Sequence, residues 1–447
     1  MQSPSLWREI SIPEVLLTET VIDGIPHRYS GDIRIGSLQK PGSVDFVTYR
    51  SADDAPVGFD QSRGDGVGLK PCFIGAFNLE GEPLWEVGAG GTQPSRPGPV
   101  AIHDIDGDGH AEIICIFKIE GDAEPDSLSN VVIQIRDGRT GEIKAQSAPP
   151  DLTDCSGEGP NWVHQRILIA NLRGLDTPRD FVIKLGSVVL AFDQNLKMLW
   201  RYTCPWSDYG HCAAYIPSVG DIDSDGHDEI NGGYFLLDHD GTILWEKDWA
   251  PHMDSVAITE WDDGRTRAIC SGHGHVFDEA GNTILSLGED LVPHGQEVRV
   301  ARFVEDDPSP QMAIRWNGHN TDIMLVDTRG ECINRFSVNE SPNNTGMEAV
   351  YWNGTDQPAL LYNGGMLWDP ITGDGIDLPG LPEPDPIGRM GWYHCIPANI
   401  CGDGREELVL YNPWDPRIFV YTAGNTDDPL VEQYAARPRQ YNPRLMD

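Results

Sequence analysis

Asp104, Asp106 and Asp108 stand at alternate positions in the segment DIDGDGHAEI (104–113), and Glu112 follows four residues later. Gly107 and Gly109 allow the tight winding that turns alternate side chains toward one point, with the backbone carbonyl of His110 between the last aspartate and the glutamate. Hard oxygen donors at that spacing suit Ca²⁺, which accepts about six to eight ligands at flexible angles. A second copy, DIDSDGHDEI (221–230), offers Asp221, Asp223, Asp225 and Glu229 around the carbonyl of His227. A third, NICGDGREEL (399–408), has Asn399 and Cys401 in place of the first two aspartates, so no calcium is expected there. Clustered carboxylates repel one another unless a cation joins them, so calcium at one or two sites is expected.

The other residues with chemical potential are scattered. His27 and Arg28, Arg96, His164 and Arg166, His211, His252, His294 and the run Trp392–Tyr393–His394 recur at one phase of a repeat, and His273, His275 and His319 fall at another. Gathered in one place, imidazoles would carry protons near neutral pH and guanidiniums would hold carboxylates in a fork. That pairing suits β-elimination at a uronic acid. An arginine neutralises the carboxylate and acidifies the neighbouring C–H, a His or Tyr takes that proton, and a second donor protonates the departing oxygen. A transition-metal site is the rival use of the histidines, although only His273/His275 gives local ligand spacing. Trp162, Trp316, Trp392 and Tyr393 could stack on sugars in a purely binding module, and Glu260 with Glu348 would serve a glycoside hydrolase.

What could gather such residues is a repeated strand unit. FNLEGEPLWEV (77–87), LDHDGTILWEK (237–247), FDEAGNTILSL (277–287) and VDTRGECINRF (326–336) each read as strand, Asp/Asn-to-Gly turn, strand. AFDQNLKMLWR (191–201) lacks the glycine, and IRDGRTGEIKA (135–145) and WDPITGDGIDL (368–378) have longer turns. Two further strand-like runs precede each hairpin, which makes a four-stranded unit of about 40–60 residues: the blade of an all-β propeller. Eight units start near residues 27, 96, 161, 211, 252, 294, 344 and 391, with seven blades and an irregular segment as the other count. The last unit has three clear strands, and Leu6–Trp7–Arg8 matches the Leu–Trp strands elsewhere. Residues 1–26 are therefore expected to complete the final blade and leave no open edge, with 425–447 as a tail to one propeller domain spanning 1–447. Inner strands all run the same way, so their first residues meet at one mouth of the axial channel, and the loops between second and third strands reach the same face.

The totals narrow the partners. With 70 acidic and 32 basic residues the formal charge is −38, which disfavours nucleic acid and anionic membranes. An acidic polysaccharide stays open as a partner where a local basic pocket overrides the average field. No apolar run approaches the roughly 18–20 residues of a membrane helix, and the sequence MQSPSLWREI lacks the regions of a signal peptide. Sequons at Asn339, Asn343 and Asn353 point to a secreted, mature form, with a cytoplasmic protein as the alternative. Nine cysteines leave at least one unpaired. Cys204/Cys212 and Cys395/Cys401 are spaced closely enough to bridge, and Cys115 reads as a buried thiol. A monomer is expected.

Propeller repeats, Asp-x-Asp-Gly-Asp-Gly turns and a His/Arg funnel together resemble the β-propeller polysaccharide lyases: rhamnogalacturonan lyases and fungal L-rhamnose-α-1,4-D-glucuronate lyases. The turns also resemble the calcium loops of FG-GAP propellers, where the loop joins the first two strands of a blade on the face away from the ligand. The resemblance implies a lyase acting on a uronic acid, with a structural role for calcium. It matches Arg96 or Arg166 to the carboxylate holder and His164, His211 or Tyr393 to the base. The other basic and aromatic residues of the funnel, His27, Arg28, His252, His273, His275, His294, His319, His394 and Trp392, would bind substrate. The hairpins resemble those of quinoprotein dehydrogenases too, but the chain has no Cys–Cys pair to set against a quinone. A non-catalytic carbohydrate-binding or adhesion propeller is the rival outside enzymology.

Overall fold

The Asp-to-Gly turns close as their chemistry requires. The Gly241 amide donates to the Asp238 carbonyl at 2.9 Å, and Gly241 takes φ +85°, a conformation that glycine adopts without a Cβ penalty. A Cβ there would come within 2.8 Å of Trp200, whose indole N–H donates to the His239 carbonyl. Trp200 lies on the outermost strand of the preceding blade, and the same latch recurs as Trp85 on Gly141 and Trp245 on Gly281. Leu–Trp strands and turn glycines therefore recur together because each blade's outer edge docks on the next blade's turn.

A computed structural model describes residues 2–22, 24–51, 71–91, 99–119, 130–154, 166–208, 211–214, 216–249, 252–262, 264–339, 346–384, 391–424 and 433–434. Eight antiparallel four-stranded sheets follow one another along the chain. Their innermost strands are Asp32–Gly36, Val100–His103, Ile167–Ala170, Ser218–Gly220, Val256–Glu260, Glu297–Ala301, Glu348–Val350 and His394–Ala398, in blades 1 to 8. From blade 1 to blade 8, each inner strand lies against the next. The ring closes through a shared core in which Ile33, Ile35 and Phe46 of blade 1 pack with Ile396, Val409 and Ile418 of blade 8. Tyr411 crosses this seam from blade 8 and, together with Tyr49 of blade 1, donates to the buried carboxylate of Asp32.

The first strand, Pro4–Ser11, pairs antiparallel with Arg417–Ala423 and forms the outer edge of blade 8. Beyond it come a 3₁₀ turn, Glu14–Leu16, and a hairpin, Thr18–Ile22 with Ile25–Tyr29, which the sequence pattern does not separate from blade 1. Gln433 and Tyr434, in the expected tail, return to the ring: the Gln433 amide donates to Ile400 and that of Tyr434 to Gly42.

Neither closely spaced cysteine pair is bridged. All eight described cysteines are free thiols, including Cys204, Cys212, Cys395 and Cys401, and burial pushes the Cys115 thiol up to about 12. Lys184, on the second strand of blade 3, is an unexpected core residue. It is 1% exposed, its ammonium donates to the Gly186 carbonyl, and burial lowers its pKa to about 8. Its folded value lies below the ordinary 10.5, so the charged form is penalised below about pH 8 and the penalty fades as pH rises toward 10.5. Lys184→Met is therefore expected to raise Tm at neutral pH by removing a cost of roughly 3 kcal/mol. It should also abolish the gain in stability between those two pH values, which a series of thermal melts would measure.

Candidate active site

The inner strands begin three to seven residues later than the repeat pattern places them, in the same direction for every blade. Most of the expected residues thus sit in the segments leading into the inner strands rather than on them. His394 is the exception: it opens the inner strand of blade 8, fully buried and stacked on Tyr411 at 5.3 Å.

The most organised group at this mouth joins blades 5 and 6. Asp254, 1% exposed, accepts from Nε2 of His294 at 2.8 Å through Oδ2 and faces Nε2 of His252 at 3.2 Å through Oδ1. The two imidazoles meet edge to face with centroids 4.9 Å apart. Burial opposes charge on Asp254, yet hydrogen bonds from both rings hold its carboxyl below the usual carboxylate range. Burial likewise works against the His252 cation, but Asp254 more than offsets it and raises the pKa. The backbone around the group is fixed: Gly318 donates to the His294 carbonyl, and Ser255 N–H donates to the Ser271 hydroxyl. Farther along the inner strand of blade 6, Glu297 and Arg315 form a fully buried ion pair at 3.1 Å.

A second group lies where blade 8 meets blade 1. His27, Glu383, Tyr393, Asn412, Trp414, Asp415, Pro416 and Arg417 line a cavity of about 400 Å³. The Tyr393 hydroxyl donates to Asp415 at 3.2 Å, and Arg417 pairs with the same carboxylate at 2.8 Å. Burial, and then the Asp415 charge, raise the phenol above its ordinary value, so it keeps its proton. His27 reaches this cavity from the extra hairpin, edge to face with Trp414 at 6.1 Å, and not from an inner strand as expected.

The remaining expectations divide. Arg166 precedes the inner strand of blade 3 and is 4% exposed. Arg28 sits on the extra hairpin with Glu14 and Glu19. His211 forms a short separate hairpin with Ser207–Asp208 and pairs with Asp248, outside the inner strand of blade 4. His273 bonds the Val292 carbonyl at 2.8 Å, His319 lies in an exposed loop between second and third strands, and Trp392 is half-buried beside Tyr393. His275 opens a third strand, is buried, and stacks on both Trp249 and Phe277 in the wall between blades 4 and 5, where burial lowers its pKa to about 4. Arg96 and His164 lie outside the described residues. Sequence reasoning misses Asp254, although the spacing His252–Met253–Asp254 signals it, and misses Trp414, Asp415 and Arg417.

The aspartate turns join first and second strands, at the opposite end of the blades from the mouth. In all three copies the terminal glutamate accepts a backbone N–H from seven residues earlier: Ile105 to Glu112, Ile222 to Glu229 and Ile400 to Glu407. The carboxylates of Asp104, Asp106 and Asp108 converge within 4.8 Å, as do those of Asp221, Asp223 and Asp225. In blade 4 the other oxygen of Glu229, Oε1, is buried and has no hydrogen-bond partner among the described residues. Glu229 feels the charges of Asp221, Asp223 and Asp225, and its carboxylate also lies within 4.8 Å of Asp238 and His239. An orphaned buried oxygen in such a cluster fits a hard cation, which Asp221, Asp223, Asp225 and Glu229 would hold. In blade 2 the ammonium of Lys144 lies among the carboxylates.

The family model for rhamnogalacturonan lyase family 11, C-terminal domain, matches residues 184–436 of this ring. Rhamnogalacturonan exolyase YesX of Bacillus subtilis (strain 168) is 25% identical, over 93% of this chain and 75% of its own length. The crystal structure of rhamnogalacturonan lyase YesW superposes with a TM-score of 0.69 at 20% identity, covering 95% of this chain and 77% of that one. Bacillus licheniformis Rhamnogalacturonan Lyase PL11 gives 0.68 at 21% over the same shares. At that level of identity the two superpositions speak to the shared propeller fold.

Proposed function

The chain belongs to rhamnogalacturonan lyase family 11 and is a polysaccharide lyase, and from that premise we propose that it cleaves a rhamnogalacturonan by β-elimination at galacturonate. The base is His294. Asp254 accepts from its Nε2, which leaves Nδ1 to take the C5 proton of a galacturonate in the mouth. The electron pair of that C–H bond forms the C4–C5 double bond, and the C4–O bond breaks. Tyr393, whose phenol keeps its proton, supplies the hydrogen for the departing oxygen. Arg166 holds the carboxylate and makes the C5 proton acidic. Trp414 and His27 flank the cavity that would seat a neighbouring sugar.

One observation carries this reading: a buried carboxylate gripping two imidazoles at the channel mouth of a lyase-family propeller. The ligand atoms of His252, Asp254 and His294 also lie within 4.8 Å of one another, and this favours a second reading in which they hold a cation. Such a cation would neutralise the substrate carboxylate in place of a guanidinium.

Incubation with rhamnogalacturonan tests the reaction class. Elimination yields new reducing ends together with an ultraviolet-absorbing unsaturated uronate. Reducing ends alone would mean hydrolysis, and binding with neither signal would leave a carbohydrate-binding module. Arg166→Lys is expected to cut kcat/KM about 100-fold, the usual scale for losing one directed charge contact. An unchanged value would move the carboxylate contact elsewhere, and activity restored only by a divalent ion would favour the cation reading.

A further inference from the structure

The three aspartate turns solve one electrostatic problem in three ways, and the solutions differ in chemistry. In blade 2, Nζ of Lys144 lies 2.6 Å from Asp106, 2.8 Å from Glu112 and 3.3 Å from Asp108. An ammonium has three N–H donors, and here they face three carboxylates. The Arg179 guanidinium adds positive charge against the same turn, where a Cβ at Gly107 would come within 2.1 Å of it. In blade 8, Arg405 pairs with Asp403 at 2.8 Å, and the second oxygen of Glu407 accepts from the Thr422 hydroxyl at 3.1 Å. Both turns therefore contain their own cation, and both glutamates have their oxygens bonded.

Among the described residues, blade 4 has neither. Lys144 follows the turn of its blade as Gly141–Glu142–Ile143–Lys144, and the matching run is Gly241–Thr242–Ile243–Leu244. Leu244 cannot supply charge, and Glu229 keeps one buried oxygen without a hydrogen-bond partner among the described residues. The residues that approach instead are His227, against Asp225 at 3.1 Å, and His239, stacked on His227 at 4.2 Å.

We propose that Lys144 takes the place of a divalent ion in the blade 2 turn, so that its near-identical motif is metal-independent while the blade 4 turn is the one that binds calcium. The motif then does not determine metal content; the residue that the neighbouring outer strand projects into the turn does. A position carrying leucine leaves the carboxylates to a metal, and one carrying lysine fills the site from within the chain. This assignment stands apart from the proposed reaction, and its test does not measure turnover.

Calcium bound per chain after equilibrium dialysis of the full-length protein distinguishes the two turns. Relative to wild type, Asp223→Asn should lose one ion, Asp106→Asn should lose none, and Lys144→Met should gain one. Loss of an ion in Asp106→Asn would overturn the proposal, because the lysine would then coexist with a metal. A folded Lys144→Met that binds no additional ion would overturn it too. Should Lys144→Met fail to fold, the substitution of the partly exposed Asp106 still tests the blade 2 assignment. A second readout is terbium luminescence, sensitised by nearby aromatic residues, which should rise in Lys144→Met and fall in Asp223→Asn.

Discussion

Asp254→Asn and His294→Ala are each expected to lower kcat by about 10²–10⁴-fold on rhamnogalacturonan, the range for losing a positioned general base. At roughly 1.4 kcal/mol per factor of ten this corresponds to about 3–5 kcal/mol of barrier. The amide introduced by Asp254→Asn keeps the volume of the carboxylate and loses the charge that orients both imidazoles, so KM should change less than kcat. The double variant should be little worse than either single one, because residues acting as a unit are not additive. A pH profile separates a catalytic unit from a structural one. Asp254 raises the pKa of His252, so in Asp254→Asn that imidazole titrates lower and the acidic limb of any profile it governs moves to lower pH. The stability signature has its own sign. Asp254 has a depressed pKa, so its contribution is present above the ordinary 3.8 and is lost as pH falls through the folded value. His252 has a raised pKa, so its contribution is full below the ordinary 6.5 and is lost as pH rises past the folded value. The Tm difference between wild type and Asp254→Asn should therefore be largest between pH 3.8 and 6.5. A flat difference across that window, or undiminished kcat in either single variant, would sink the assignment of the base.

How far the sequence discloses this depends on whether a feature is local. The blades are legible because strand alternation and Asp-to-Gly turns are written within about ten residues, and all eight starts carry an offset in one direction. The offset arises because chain segments on the mouth, such as His252–Ser255 and His294–Gln296, are polar and hydrogen-bonded without being strands, so nothing in their residue types marks where pairing begins. The basic residues of the mouth are legible as a set, whereas their acidic partners are not. Asp254 is one of 70 acidic residues; its place two residues after His252 is a faint local signal, and the approach of His294 from the next blade is what singles it out. The burial of His275 is hidden for a related reason: its position in the repeat fits the mouth, and Trp249, supplied by the previous blade, stacks on it. The role of Lys144 is hidden because it needs the register between Val131–Asp137 and Ile143–Ser147, which no local spacing encodes. The cysteine pairs mislead because closeness in sequence says little about thiol geometry in a sheet-rich ring.

Removing residues 2–12 is expected to move the chain's unfolding transition to a much lower temperature than that of wild type. The segment makes seven Cα pairings with Arg417–Ala423 and buries Ile10 and Ile12 in the core that joins blade 8 to blade 1. Ile10→Ala alone should cost about 2–5 kcal/mol, the usual range for such a truncation. Set against the roughly 5–15 kcal/mol that hold a typical domain folded, that single change should lower Tm by several degrees. Deletion does more, because it also exposes the edge of Arg417–Ala423 and removes the Arg8–Glu80 ion pair that reaches the next blade. Thermal melts of wild type, Ile10→Ala and the truncated chain should rank in that order, and the truncated chain should bind a hydrophobic dye. Adding a synthetic peptide of residues 2–12 should restore part of the lost Tm, since an extended segment can re-enter an open sheet edge. If the truncated chain melted within a degree or two of wild type, the ring would be held by its inner strands alone, and the N-terminal strand would be a passenger on blade 8 rather than its lock.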